Sequence, residues 1–80
     1  MTEAVLKELD PAALLEDLPA HGLVVGDVGT VVFVHHHGKG YEVEFMDADG
    51  RTLVVETLQA HQVAPIRGRQ ILHVRSLTVA

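Results

Sequence analysis

Apolar and polar positions alternate most strictly over Tyr41-Glu-Val-Glu-Phe45. A period of two places successive side chains on opposite faces of an extended chain, so Tyr41, Val43 and Phe45 share one face and Glu42 and Glu44 the other. That is a half-buried β-strand. Before it, Val28 to His35 is a largely apolar run of strand length, whose spacing places Val28, Val32 and Val34 inward and Phe33 on the opposite face, although Val31 interrupts the alternation. Gly29 within this run predicts a bulge or a close approach of another backbone. His36-His-Gly-Lys-Gly40 joins the two strands, with Gly38 and Gly40 available for positive φ. Beyond Phe45, Asp49-Gly50 is a hairpin signal, and Arg51 to Leu58 reads as the next strand with Leu53 and Val55 inward. Gln59-Ala-His-Gln62 has the length of one helical turn before Val63-Ala-Pro-Ile66.

The two ends are less determined by pattern. Asp10-Pro11 is a good helix start, with Asp as N-cap and Pro at the first helical position, and Ala12 to Glu16 favour helix until Pro19 stops it. Leu14-Leu-Glu-Asp-Leu18 reads equally well as a first strand, with tertiary pairing overriding propensity. Met1 to Leu9 reads as a short helical or disordered lead. At the other end, Gln70 to Val79 is β-prone and follows Arg67-Gly-Arg69, which reads as a linker. The organisation is a lead over 1–11, a β domain over 12–66 and an extension over 67–80, with Leu14, Val28, Val32, Val34, Tyr41, Val43, Phe45, Leu53 and Val55 as the expected core.

Composition narrows the sources of stability. Domains of 80 residues bury a modest core and often gain from a disulfide, a metal or a partner. With no Cys, disulfides and thiolate metal sites are excluded, which leaves the apolar core, a histidine-bound metal, and association. The N-terminus lacks the basic region and apolar stretch of a signal peptide, and no apolar run approaches the roughly 20 residues that span a bilayer, so the expectation is a soluble, cytoplasmic protein without membrane contact.

Charge is unevenly distributed. The net charge of −5 argues against a generic nucleic-acid binder, whose affinity rests on Lys and Arg neutralising phosphates. All eleven acids lie at or before Glu56, against Lys7, Lys39 and Arg51, so the first 56 residues carry −8. Arg67, Arg69 and Arg75 give the last 24 residues +3. Three Arg without an aromatic platform support nucleic-acid binding weakly; a basic segment packing on an acidic body, its own or a neighbour's, accounts for the asymmetry better.

Leu14-Leu-Glu-Asp-Leu-Pro-Ala-His-Gly-Leu23 and Gly26-Asp-Val-Gly-Thr-Val-Val32 give the chain a resemblance to a small bacterial family known only as domain of unknown function 4926. Tyr41-Glu-Val-Glu-Phe45, Asp49-Gly-Arg-Thr-Leu53 and Leu58-Gln-Ala-His-Gln-Val63 match it in the same order. The resemblance spans roughly residues 12–66. It implies an SH3-like antiparallel barrel of about five strands, with Leu14 to Leu18 as the first, and no assigned activity. A looser likeness of the Gly-Asp-x-Gly-x-Val start reaches other SH3-like barrels, including those of ribosome- and transcription-associated proteins and the nitrile hydratase β subunit. Two features depart from the family pattern: Phe33 followed by His35-His-His37, and the extension beyond Ile66.

Candidate chemistry is sparse. His35 and His37 fall on one face if the strand continues, and with Glu42 across the hairpin they are candidate ligands for Zn²⁺, Ni²⁺ or Cu²⁺; a solvated, variable turn is the competing account. Nucleophilic catalysis lacks its parts, since Ser76 is the single Ser, without a His–Asp pattern around it. Asp47 with Asp49, and Glu42 with Glu44, occupy a turn and a solvent face, where solvation explains them. Gly26-Asp-Val-Gly29 lacks the Lys and the following helix of a phosphate-binding loop. What remains is a surface for partners: Phe33 outward, and an extension whose Arg67, Arg69, Leu72, Val74 and Arg75 need something to cover, either the open edge of their own barrel or another subunit. The reading is therefore an all-β SH3-like barrel with a β-prone C-terminal extension, acting without a cofactor as a non-catalytic interaction or assembly module, self-associating through residues 67–80 or binding a protein partner. A nucleic-acid-associated module using the Arg-bearing extension is the alternative, and metal binding through His35 and His37 comes after it.

Overall fold

The strict alternation of Tyr41 to Phe45 makes the centre of the fold. The computed structural model describes residues 6–77, within which β1 (Pro11–Leu14), β2 (Val28–His35), β3 (Gly40–Met46), β4 (Thr52–Gln59) and β5 (Val63–Pro65) form one antiparallel sheet in the order β4-β3-β2-β1-β5. Tyr41, Val43 and Phe45 are buried as their spacing requires. The all-β architecture of five antiparallel strands is the expected one. It forms as an open sheet, because the outer strands β4 and β5 do not pair with each other.

The phase of β2 differs from the sequence expectation. Val31 stands opposite Val43 and is fully buried, whereas Val28 and Val32 are exposed and Val34 is half-buried. The register shifts between Val31 and Phe33, so Val32 is an extra residue in the ladder. Such a bulge moves the inward set by one position, which reconciles Val31 and Val34 on the same side. Gly29 falls on the inward phase, where a Cβ would sit 2.5 Å from Val43 Cγ1 and 2.8 Å from the Glu44 carbonyl oxygen. The close approach predicted at Gly29 is therefore present.

The same correction applies to β4. Leu53 and Val55 are exposed; Leu58 is buried opposite Tyr41 and Val54 packs on the core opposite Phe45. A register shift at Phe45/Met46 leaves Leu53 without a direct partner, and the inward set becomes Val54, Glu56 and Leu58. A glutamate at the middle inward position hid this phase from the hydrophobic pattern.

β1 begins at Pro11 and ends at Leu14, rather than running from Leu14 to Leu18. Helical propensity loses because Ala12 and Leu14 are buried between β2 and β5, with Ala12 opposite Gly29 on one side and Pro65 on the other. Pro as the first residue of a strand forfeits little pairing. Asp10 caps no helix: its carboxylate accepts from the Lys7 N–H and its carbonyl from the Val31 N–H. Leu6, placed by the sequence in a lead, is buried in the core with Leu23 and Val63.

The β2–β3 turn takes positive φ at His36, His37 and Gly38, and Gly40 is an ordinary strand residue instead. Single 3₁₀ turns occur at Pro19–His21 and, as expected, at Ala60–Gln62. Beyond β5, residues 67–70 turn and 71–77 take no regular structure, so the β-prone extension adds no strand among the described residues. The expectations for residues 1–5 and for Thr78 and Val79 lie outside the described residues. No described helix is long and apolar enough to cross a membrane.

Candidate functional site

Two regions gather the polar chemistry. The first is where the extension meets the sheet. The loop before β2 turns at Val24–Asp27, with the Asp27 N–H donating to the Val24 carbonyl and the Asp27 carboxylate accepting from the Val24 N–H at 2.9 Å. That turn presents the carboxylate to Arg75. Arg75 Nε donates to Oδ1 at 2.7 Å, and Nη2 donates to Oδ2 at 2.5 Å and to the Gly22 carbonyl at 2.9 Å. This forked geometry is the strong form of an Arg–carboxylate contact. It holds the Asp27 carboxyl below its ordinary range against the opposing effect of partial burial, and pushes Arg75 up from its own ordinary value.

Around this clamp, Leu72, Val74 and Leu77 border, with Leu23, Val28 and Leu53, an open cleft of about 350 Å³. The packing there is partial: Ile71 is 91% exposed, Leu72 66% and Val74 93%. Arg67 and Arg69 are exposed, with the Arg67 N–H donating to the Gln70 side chain. Of the predicted interaction residues, Arg75 is thus fastened to the body with Leu72 at the edge of the cleft beside it, whereas Val74, Arg67 and Arg69 are exposed. Phe33 is exposed on the outer face as expected, its ring 4.6 Å from that of His35.

The second region is the far end of the β2–β3 hairpin. His35 Nε2 contacts Glu42 Oε2 at 2.9 Å, the cross-hairpin partnership anticipated from the sequence. His37 does not join it. The left-handed backbone at His36 and His37 turns both toward an open depression shared with Lys39 and His61. Among the described residues no group of three His, Asp or Glu gathers where it could hold a metal ion. A further pair, His21 with Glu56, links the first 3₁₀ turn to β4 and accounts for the glutamate at an inward position of an outer strand. An inward-pointing charge is one way such a strand resists pairing with another chain.

Sequence reasoning missed Asp27, His21, Glu56 and His61. Asp27 stood in a Gly-Asp pair that reads as punctuation, and its only signal was the charge asymmetry that asks for an acidic seat for the extension's arginines. The other three depend on which distant elements meet.

Residues 8–65 match the model of the family described as Domain of unknown function (DUF4926), and the chain belongs to that family. The match starts at Glu8, just ahead of β1, and ends with β5, so Asp27 and the histidine region lie inside it and Arg75 outside. No curated protein and no solved structure matches the chain.

Proposed function

We propose that this member of a family without an assigned activity is a small non-catalytic assembly module, and that its extension joins it to a second copy of itself. The observation that carries the reading is the contrast within residues 71–77. The segment is fastened by Arg75 on Asp27, yet Ile71, Leu72 and Val74 stay largely exposed. Contiguous exposed aliphatics on a small protein mark an interaction surface. The partner is argued from charge: with Arg75 engaged on Asp27, Arg67 and Arg69 remain to complement an acidic body, and every other copy carries that same body. The non-catalytic reading rests on the residue inventory, with no Cys and a single Ser outside the matched region.

Light scattering after gel filtration tests this. The full chain is expected to run as a discrete oligomer, and the full-length variant Ile71→Ser with Val74→Ser as a folded monomer. Equal monomer masses for both overturn the proposal. Salt-sensitive retention on heparin, lost in Arg67→Ala with Arg69→Ala, would instead favour nucleic acid, for which those two exposed arginines are the available groups.

A further inference from the structure

The depression at the hairpin end has a composition unlike the rest of this acidic chain. It is an open concavity of about 1060 Å³ bordered by His36, His37, Lys39 and His61, with Val34 and Gln59 among its lining, and none of its lining residues is an acid. Two elements that are distant in sequence build it, and both are held in place. On the hairpin, the N–H groups of Gly38 and Lys39 both donate to the His35 carbonyl, which fixes the left-handed run at His36, His37 and Gly38. Opposite, His61 sits in a 3₁₀ turn closed by reciprocal bonds between Gln59 and Gln62, and the Ala60 N–H donates to the Lys39 carbonyl, tying this turn to the hairpin. The polar side chains that line the depression are thus Lys39, Gln59 and the three imidazoles, while Glu42 on β3 is engaged by His35.

An ammonium and three imidazoles on one concave surface, without a competing carboxylate, are donors looking for an anion. Imidazole is both a hydrogen-bond donor and, below about pH 6.5, a cation. Imidazoles suit Zn²⁺, Ni²⁺ or Cu²⁺, but a metal ion is disfavoured by geometry, since among the described residues no three ligands gather where they could hold one. We infer that the depression formed by His36, His37, Lys39 and His61 is a binding site for a compact oxyanion of the phosphate class, either inorganic phosphate or a phosphomonoester group.

The test uses the full chain and imidazole NMR at pH 6.0 and constant ionic strength, with inorganic phosphate and glycerol 3-phosphate titrated separately. Saturable shifts of His36, His37 and His61, without comparable shifts of His21 and His73, are the expected result. The probe that saturates at lower concentration identifies the source. Lys39→Ala and His61→Ala should each weaken binding about threefold, the loss of one solvent-exposed charged contact, and raising the pH to 8 should weaken it further. Chloride reproducing the shifts, a non-saturating response, or phosphate affinity unchanged in both variants would overturn the assignment. So would stoichiometric Zn²⁺ shifting these imidazoles where phosphate does not.

Discussion

At the scale of single residues, Gly29 and Asp27 carry the most consequence. Gly29 has no room for a side chain, because a Cβ would meet Val43 Cγ1 and the Glu44 carbonyl within the sheet itself. Gly29→Ala is expected to lose about 1–3 kcal/mol of stability in urea unfolding, the range for overpacked interiors. Asp27 links the seating of the extension to acidity. Its folded pKa is lowered by Arg75, so the contribution is complete above the ordinary Asp value of about 3.9 and is lost as the pH falls through the lower folded value. The Leu72 and Leu77 methyl signals should therefore shift toward free-chain values in acid. Asp27→Asn should produce that shift already at neutral pH. His36 and His37 hold left-handed backbone that side chains disfavour by about 1–2 kcal/mol each, so His37→Gly is expected not to destabilise the fold, although glycine usually does.

At the scale of elements, what was legible depended on whether the pattern alone could fix a strand's phase. β3 could be read completely because both of its faces are declared, Tyr, Val and Phe against two Glu. β2 and β4 were recognisable as strands but not in phase, since Val31-Val-Phe-Val34 offers no polar position to count from and Glu56 occupies an inward one. In each the partner strand and a bulge settle the question, and neither is local information. β1 was hidden by residues that favour helix and is a strand because two neighbours pair with it. The His35–Glu42 contact was legible as a cross-hairpin pair, whereas His61 joining His36 and His37 required knowing where the 3₁₀ turn lands. The revised phase of β4 has its own test: Leu58→Ala should cost about 2–5 kcal/mol, and Val55→Ala, on the outer face, within about 0.5 kcal/mol, both by urea unfolding.

At the scale of the whole molecule, the charge asymmetry that the sequence shows is partly resolved inside one chain, by Arg75 on Asp27, while Arg67 and Arg69 stay exposed beside Ile71 and Val74, the surface proposed for a second copy. Ser at both aliphatic positions should therefore lower the solution mass and, because association stabilises the folded chain by mass action, leave an unfolding midpoint that is lower and independent of protein concentration. The order of the sheet has a separate, mechanical consequence. β1 and β5 are adjacent and antiparallel, with Ala12 opposite Pro65, so the stretches of chain leaving the sheet depart from the same end of one short ladder. Tension applied between residues on either side of it would open that ladder one bond at a time, like a zipper, instead of loading its bonds together in shear. In single-molecule pulling the module should yield at low force, with β5 peeling away first and β2–β4 persisting as a meander.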